Sequence, residues 1–237
     1  MYSYQTRIGY SQTNAKGVLT IGELSKHFQN CSNFQSDDLG VGFEYLEAHK
    51  AGWVIVYHEI LFHKMPVSGQ PVRIGTSAYR LKGCFGFRNF FLLDEKDEVL
   101  AVSDSTWVYM DLKEKRIMRA PQEVMDAYNR DAEVQYEMGT HGRKISTPEE
   151  LTPARSFDLR QADVDSNGHV NNTVYVMLCE ELLPPDRTVE RLRIEYRTEA
   201  HFGEHLHAFT AQTEEAFYVV LKNDDGEITT VTEWLLV

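Results

Sequence analysis

Apolar and polar positions change period along this chain in a regular way. Near 3–10, 53–63, 71–81, 85–94 and 98–110 they alternate, or crowd with β-branched and aromatic residues, which predicts strands. A second set lies near 155–161, 188–199, 204–213, 216–223 and 227–237. After the first strand of each set the spacing lengthens to three and four. Ile21, Leu24, Phe28 and Cys31 form one such stripe, and Val170, Val174, Met177, Leu178 and Leu182 form the other. Each stripe predicts a helix, and Pro184-Pro185 stops the second. A short helix is predicted near 42–49, bounded by Gly42 and Gly52. Asp94-Glu95-Lys96-Asp97 and Asn223-Asp224-Asp225-Gly226 read as hairpin turns, because Asn, Asp and Gly tolerate left-handed backbone.

The order strand, helix, four strands therefore occurs twice. Asn14-Ala15-Lys16-Gly17-Val18 falls opposite Asp165-Ser166-Asn167-Gly168-His169, and Pro66-Val67-Ser68-Gly69 falls opposite Ala200-His201-Phe202-Gly203. Near the ends, Thr106-Trp107 falls opposite Glu233-Trp234. An apolar helix stripe needs an apolar sheet face to cover it, and five short strands can curl around one helix. The expected class is α+β, a tandem (double) hotdog with two antiparallel sheets, each wrapped around a central helix. The expected division is 1–112 for the first repeat, 113–153 for a linker with a short helix from Pro121 to Tyr128, and 154–237 for the second repeat.

Composition narrows the function. The chain has 237 residues, with 42% hydrophobic and 25% charged, ordinary values for a folded domain with a sizeable core. A net charge of -12 argues against general nucleic-acid binding, which needs phosphate-neutralising Lys and Arg. No apolar run approaches the ~20 residues of a membrane span. Met1 through Arg7 lacks the basic-then-apolar layout of a signal peptide, so cytoplasm is the expected location. Cys31, Cys84 and Cys179 match no zinc spacing and read as small apolar packing residues.

The richest stretch chemically is Arg160 through Tyr175. Asp165, Asn167 and His169 alternate just ahead of the second helix, so groups that accept, donate and move protons sit beside a helix N-terminus. Either Asp165 or Asn167 taken alone is better explained as a cap or turn residue. Asn171 and Asn172 read as structural, holding the loop and first turn. In the first repeat Asn14, Lys16 and Val18 stand opposite Asp165, Asn167 and His169. That repeat cannot do the same chemistry, so one site per chain is expected.

Asp163 through Tyr175 resembles the second-half signature of acyl-acyl carrier protein (acyl-ACP) thioesterases of plants and bacteria, and Ile194-Glu195-Tyr196-Arg197-Thr198-Glu199-Ala200 resembles that family's downstream motif. In the first half Trp53-Val54, Pro66 with Gly69, Arg88-Asn89-Phe90, and Ser105-Thr106-Trp107 through Asp111 also resemble it. The resemblance implies hydrolysis of the thioester between a fatty acyl chain and the phosphopantetheine arm of acyl carrier protein, without metal or organic cofactor. It implies Asp165, Asn167, His169 and Glu199 as the catalytic set. Four positions depart from the plant pattern: Gly168 stands for Gln, Met177-Leu178 for a Gly-Trp pair, and Ala200 for a Cys once proposed as nucleophile. With Ala200 in place, water attack remains. Glu199 is then the candidate base and His169 orients it or relays a proton, with either of the two left open by the sequence as the group that takes the proton. Asp165 fixes the His169 tautomer, Asn167 holds water or carbonyl, and amides from about Val170 supply an oxyanion site.

Strict alternation of Leu192, Ile194 and Tyr196 against Arg191, Arg193, Glu195 and Arg197 puts Glu199 on the charged face. A bulge, or a strand ending earlier, would return it to the site. Arg187, Arg191, Arg193 and Arg197 form the local basic cluster that an acidic carrier protein would need on an acidic chain; a plain solvated strand face is the competing reading. His201, His205 and His207 lack acidic or Cys partners at metal-site spacing, so no metal is expected there. Two alternatives stay open: an acyl-CoA thioesterase of the same fold, and a non-catalytic acyl-binding protein. A homodimer is compatible with a fused repeat that already supplies a dimer-like unit.

Overall fold

The computed structural model describes residues 1–128, 136, 138 and 142–237. Two compact units emerge from it. The first is Met1–Thr20 with Leu24–Gly139, and the second is Ile21–Glu23 with Thr140–Val237.

In the first unit, β1 (Tyr2–Arg7), β2 (Ala51–Phe62), β3 (Pro71–Lys82), β4 (Phe85–Leu93) and β5 (Val99–Asp111) pair antiparallel in the order β1-β3-β4-β5-β2. A two-residue strand that the sequence pattern does not announce, β6 (Arg116–Ile117), adds to β5. Helix α1 (Ile21–Asp38) carries the expected stripe, and Leu24, Phe28 and Cys31 are almost fully buried. Phe28 stacks on Phe90 of β4 with ring centroids 5.1 Å apart, and the Cys31 thiol donates to the Ile74 carbonyl of β3. Helix α2 (Phe43–His49) follows the expected short segment.

In the second unit, β7 (Thr152–Asp158), β8 (Val189–Tyr196), β9 (His205–Gln212), β10 (Phe217–Lys222) and β11 (Ile228–Leu236) take the order β7-β9-β10-β11-β8. Counted within each repeat, both orders read 1-3-4-5-2. The duplication seen in the sequence is therefore a duplication of topology, and the α+β antiparallel architecture is as expected.

Two expectations need adjustment. Helix α4 (Asn172–Glu180) does not bury Val174, Met177 and Leu178, which are half-buried; it buries Thr173, Tyr175, Val176 and Cys179. The internal repeat explains the choice, because the offset that sets Asn14 against Asp165 sets Leu24 and Phe28 against Tyr175 and Cys179. The stretch 113–153 is not mere connection either. In α3 (Gln122–Tyr128), Val124 and Tyr128 pack with Val41 and Ala78, while Ile145 packs with Val220 and Val231. Burial pushes the thiols of Cys31 and Cys179 up to about 12, so both stay protonated packing groups. Among the described residues no helix is long and apolar enough to cross a membrane.

Candidate active site

The loop before α4 begins with a 3-10 turn, Gln161–Asp163, held by the Asp163 carboxylate, which accepts from the Arg160 backbone N–H and pairs with its guanidinium. The Arg160 hydrogen bonds lower the Asp163 pKa below the usual carboxylate range. A tight turn follows. The Asp165 N–H donates to the His169 carbonyl at 2.8 Å, the Gly168 N–H donates to the Asp165 carbonyl at 3.0 Å, and the Asn167 N–H donates to Asp165 Oδ1 at 2.8 Å. Gly168 sits at φ +80°, in the left-handed region where a side chain is strained.

The first unit builds the same turn. The Asn14 N–H donates to the Val18 carbonyl at 2.8 Å, the Gly17 N–H to the Asn14 carbonyl at 2.9 Å, and the Lys16 N–H to Asn14 Oδ1 at 2.9 Å, with Gly17 at φ +73°. Asn14 and Asp165 thus do one job in two places. Asp165 Oδ1 is thus engaged in its own loop, as Asn14 Oδ1 is in the first unit. Asn167 is exposed.

Asn171 is the N-cap of α4. Its Oδ1 accepts from the Thr173 N–H at 3.0 Å and from the Thr173 hydroxyl at 2.9 Å, the structural role expected. Four of the amides offered as an oxyanion site are engaged, that of Thr173 by the Asn171 cap. The Val170 N–H donates to the Ala200 carbonyl, Asn171 to the Asp163 carbonyl, and Val174 to the Asn171 carbonyl. That expectation is therefore not supported at Val170, Asn171, Thr173 or Val174.

Strand β8 ends at Tyr196, three residues before Glu199, and this releases Glu199 from the alternation that would have turned it away. Ala200, fully buried, clamps the segment. Its carbonyl takes the Val170 N–H, and its own N–H donates to the buried Tyr175 hydroxyl at 3.0 Å. Its neighbours Glu199 and His201 both reach toward the α4 loop. Glu199 Oε2 lies 3.2 Å from His169 Nε2, and Glu199 Oε1 lies 4.0 Å from His201 Nε2. The two imidazoles meet edge to face with centroids 5.0 Å apart. All three side chains keep solvent access, with relative exposures of 28% for His169, 40% for Glu199 and 43% for His201. A carboxylate against an imidazole, open to water, can accept a proton from that water while the imidazole orients the carboxylate.

His201 and Tyr175 were missed as parts of this site. The available signal for His201 was its spacing, two residues beyond Glu199 on an extended segment. The other two histidines do have acidic partners, contrary to expectation, but these come from distant positions. Asp224 faces His205 Nδ1 at 3.2 Å and His207 Nε2 at 3.0 Å, and Asp158 lies 3.4 Å from His205.

The basic cluster is also revised. Arg193 is buried and pairs with Glu233 at 2.9 Å, Arg191 reaches the same carboxylate at 3.3 Å, and Arg197 pairs with Glu195 at 3.0 Å. Buried arginines need such partners because an isolated buried charge is costly. The strip therefore does not offer four free cations to a partner, although Arg187 and Arg197 are exposed.

Comparisons with known proteins agree across the chain. The model of the acyl-ACP thioesterase N-terminal domain matches residues 1–128, and that of the acyl-ACP thioesterase C-terminal domain matches residues 146–234. A chloroplastic palmitoyl-acyl carrier protein thioesterase of Cuphea hookeriana is 28% identical over 202 residues, which is 77% of this chain and 48% of that protein. A chloroplastic oleoyl-acyl carrier protein thioesterase of Coriandrum sativum is 26% identical over 173 residues, 67% of this chain and 47% of that protein. The chain spans about half the length of the curated relatives it matches. Among solved structures, an acyl-ACP thioesterase from Bacteroides thetaiotaomicron superposes with a TM-score of 0.83 at 23% identity, covering 99% of this chain and 97% of that one. A 12:0-ACP thioesterase from Umbellularia californica superposes with a TM-score of 0.80 at 18% identity, covering 100% and 96%. These likenesses show the fold.

Proposed function

Because this chain belongs to the acyl-ACP thioesterase family, we propose that it hydrolyses fatty acyl-ACP to free fatty acid and acyl carrier protein, at the site formed by His169 and Glu199. The observation that carries this reading is the 3.2 Å approach of Glu199 Oε2 to His169 Nε2, on a framework whose first-unit copy has Val18 and Met65 at those two positions.

The chemistry follows from the groups present. His169 Nε2–H donates to Glu199 Oε2 and holds the carboxylate. Glu199 takes a proton from water, and the water oxygen bonds to the thioester carbonyl carbon. When the tetrahedral intermediate collapses, the carbon–sulfur bond breaks and the proton passes from Glu199 to the departing phosphopantetheine thiolate. Asn167, exposed at the loop tip, holds the carbonyl or the water. Asp165 contributes by shaping the turn that presents Asn167 and His169. Carrier docking falls to Arg187 and Arg197, the exposed pair of the basic cluster. Cytoplasmic location and a homodimer of chains complete the proposal.

The test is a panel of acyl-ACP and acyl-CoA thioesters, with free thiol release measured at matched acyl chains. Higher kcat/KM on carrier-bound substrates is expected. Preference for the CoA esters would move the reading to an acyl-CoA thioesterase, and inactivity on every thioester would overturn hydrolysis.

A further inference from the structure

The three side chains at the site make a set that general base catalysis does not require. Two imidazoles and one carboxylate, His169, Glu199 and His201, place one ligand atom each within 4.8 Å of one another. We propose that this trio is a binding site for a borderline divalent cation of the Zn2+ type, and that occupancy switches off hydrolysis.

Three observations on the geometry point this way. The ligand types are those that zinc takes, two imidazole nitrogens and a carboxylate oxygen. Zinc bonds of about 2.0–2.2 Å in a tetrahedron set ligand atoms roughly 3.3 Å apart. The observed separations from the carboxylate, 3.2 and 4.0 Å, need only small side-chain rotations to reach that.

Second, His201 is oriented as a ligand. Its Nδ1 lies 3.3 Å from the Gly168 carbonyl, and an Nδ1–H donated there leaves the Nε2 lone pair facing Glu199. A carbonyl that accepts from the far ring nitrogen and fixes the ring in this way is a regular companion of metal-bound histidine.

Third, the fold does not impose the convergence. The first unit repeats the framework, with the Leu19 N–H donating to the Pro66 carbonyl at 2.9 Å as Val170 donates to Ala200. Gly69 at φ +81° matches Gly203 at φ +87°. On that framework the three positions are Val18, Met65 and Val67, none a zinc ligand of the imidazole or carboxylate type. The polar trio is a property of the second unit's side chains rather than of the backbone.

Binding would take the Glu199 oxygen that otherwise receives the water proton, and would move the His169 proton to Nδ1 so that Nε2 faces the ion. The same ion then removes both the base and its orienting donor. The partial exposure of all three residues gives an ion from solvent a way in. The inhibitory part rests on the hydrolysis proposed above; the binding part does not.

The experiment is titration of the untagged protein with Zn2+ by calorimetry, beside thioester hydrolysis at the same Zn2+ concentrations with and without chelator. One Zn2+ per chain is expected at this site, with chelator-reversible inhibition over the same concentrations. His201→Val, which copies Val67, should weaken binding at least about tenfold, since losing a ligand costs no less than losing a second-shell partner. Its inhibition, scored against its own metal-free rate, should weaken equally. The double variant His205→Ala/His207→Ala removes the other histidine cluster and should leave binding and activity as in wild type. Absence of Zn2+ binding in wild type would overturn the inference, as would binding that survives His201→Val and disappears in the double variant. Zn2+ that binds at the trio and leaves hydrolysis unchanged or faster would overturn the switch. A chain that binds Zn2+ here yet cleaves no thioester would sink the hydrolysis reading and leave the metal site standing.

Discussion

Replacing Glu199 with Met tests the site against the molecule's own internal control. Met65 occupies the matching position in the first unit, where the Leu19 N–H donates to the Pro66 carbonyl as Val170 does to Ala200, so this backbone accommodates a methionine. The stability cost should be small. The Glu199 side chain is 40% exposed, and its pair with His169 is the open kind that contributes about 0–1 kcal/mol. A change of that size moves the melting temperature of a protein this long by no more than roughly 2–4 °C. The catalytic cost should be large, because a positioned base contributes about 10²–10⁴-fold, or roughly 2.7–5.4 kcal/mol of barrier. The assay is steady-state thiol release from acyl-ACP, read beside a thermal melt. A kcat loss in that range is expected, with KM close to wild type because the acyl chain and carrier contacts are untouched. His169→Val should lose a comparable factor. The double variant should lose little more than the worse single, since the two groups act as one unit. A Glu199→Met protein that melts normally and keeps kcat within about tenfold of wild type would refute the assignment of the base.

Two further outcomes separate structural from chemical roles. Asp165→Asn should keep the turn, because Asn14 makes the same hydrogen bonds with an amide oxygen, and kcat should fall less than about tenfold; a loss beyond the hundredfold scale of direct proton transfer would put the carboxylate charge into the reaction. His58 is fully buried, donates to or accepts from the Ser103 hydroxyl at 2.8 Å, and burial pushes its pKa down to about 3 from 6.5. The unfolded chain then binds a proton that the native state refuses, so stability is complete above pH 6.5 and falls as pH drops toward 3, by about 1.4 kcal/mol per unit. Urea unfolding of wild type and His58→Gln at pH 7 and pH 4.5 should show the difference between them moving by roughly 2–3 kcal/mol in favour of the variant at the lower pH; an unchanged difference would disprove a buried neutral histidine.

How legible the site was depends on what each residue answers to. The turn at Asp165–His169 was readable because its constraints are local: a side-chain acceptor two residues before an amide, and a glycine in left-handed backbone. A structural role for Asn171 was readable for the same reason, while its place as the N-cap of α4 came from the structure. The role of Glu199 was ambiguous, since period-two alternation assigns a face only while the strand lasts, and nothing local announced that β8 stops at Tyr196. The arginine strip looked like a docking surface because Glu233 lies forty residues from Arg193 in sequence and beside it on the neighbouring strand.

Taken by itself, the sequence determined the α+β class, the duplicated order of strands and helix, and a motif that carries His169 in one copy and Val18 in the other. These follow from short-range periodicity and turn chemistry, which act over a few residues. The tertiary structure decided which face of α4 is buried, how the arginines are neutralised, and which side chains meet. Burial and charge pairing are settled between residues far apart in the chain, once the strands take their places. That is how His201, grouped by sequence with His205 and His207, came to stand with His169 and Glu199 instead.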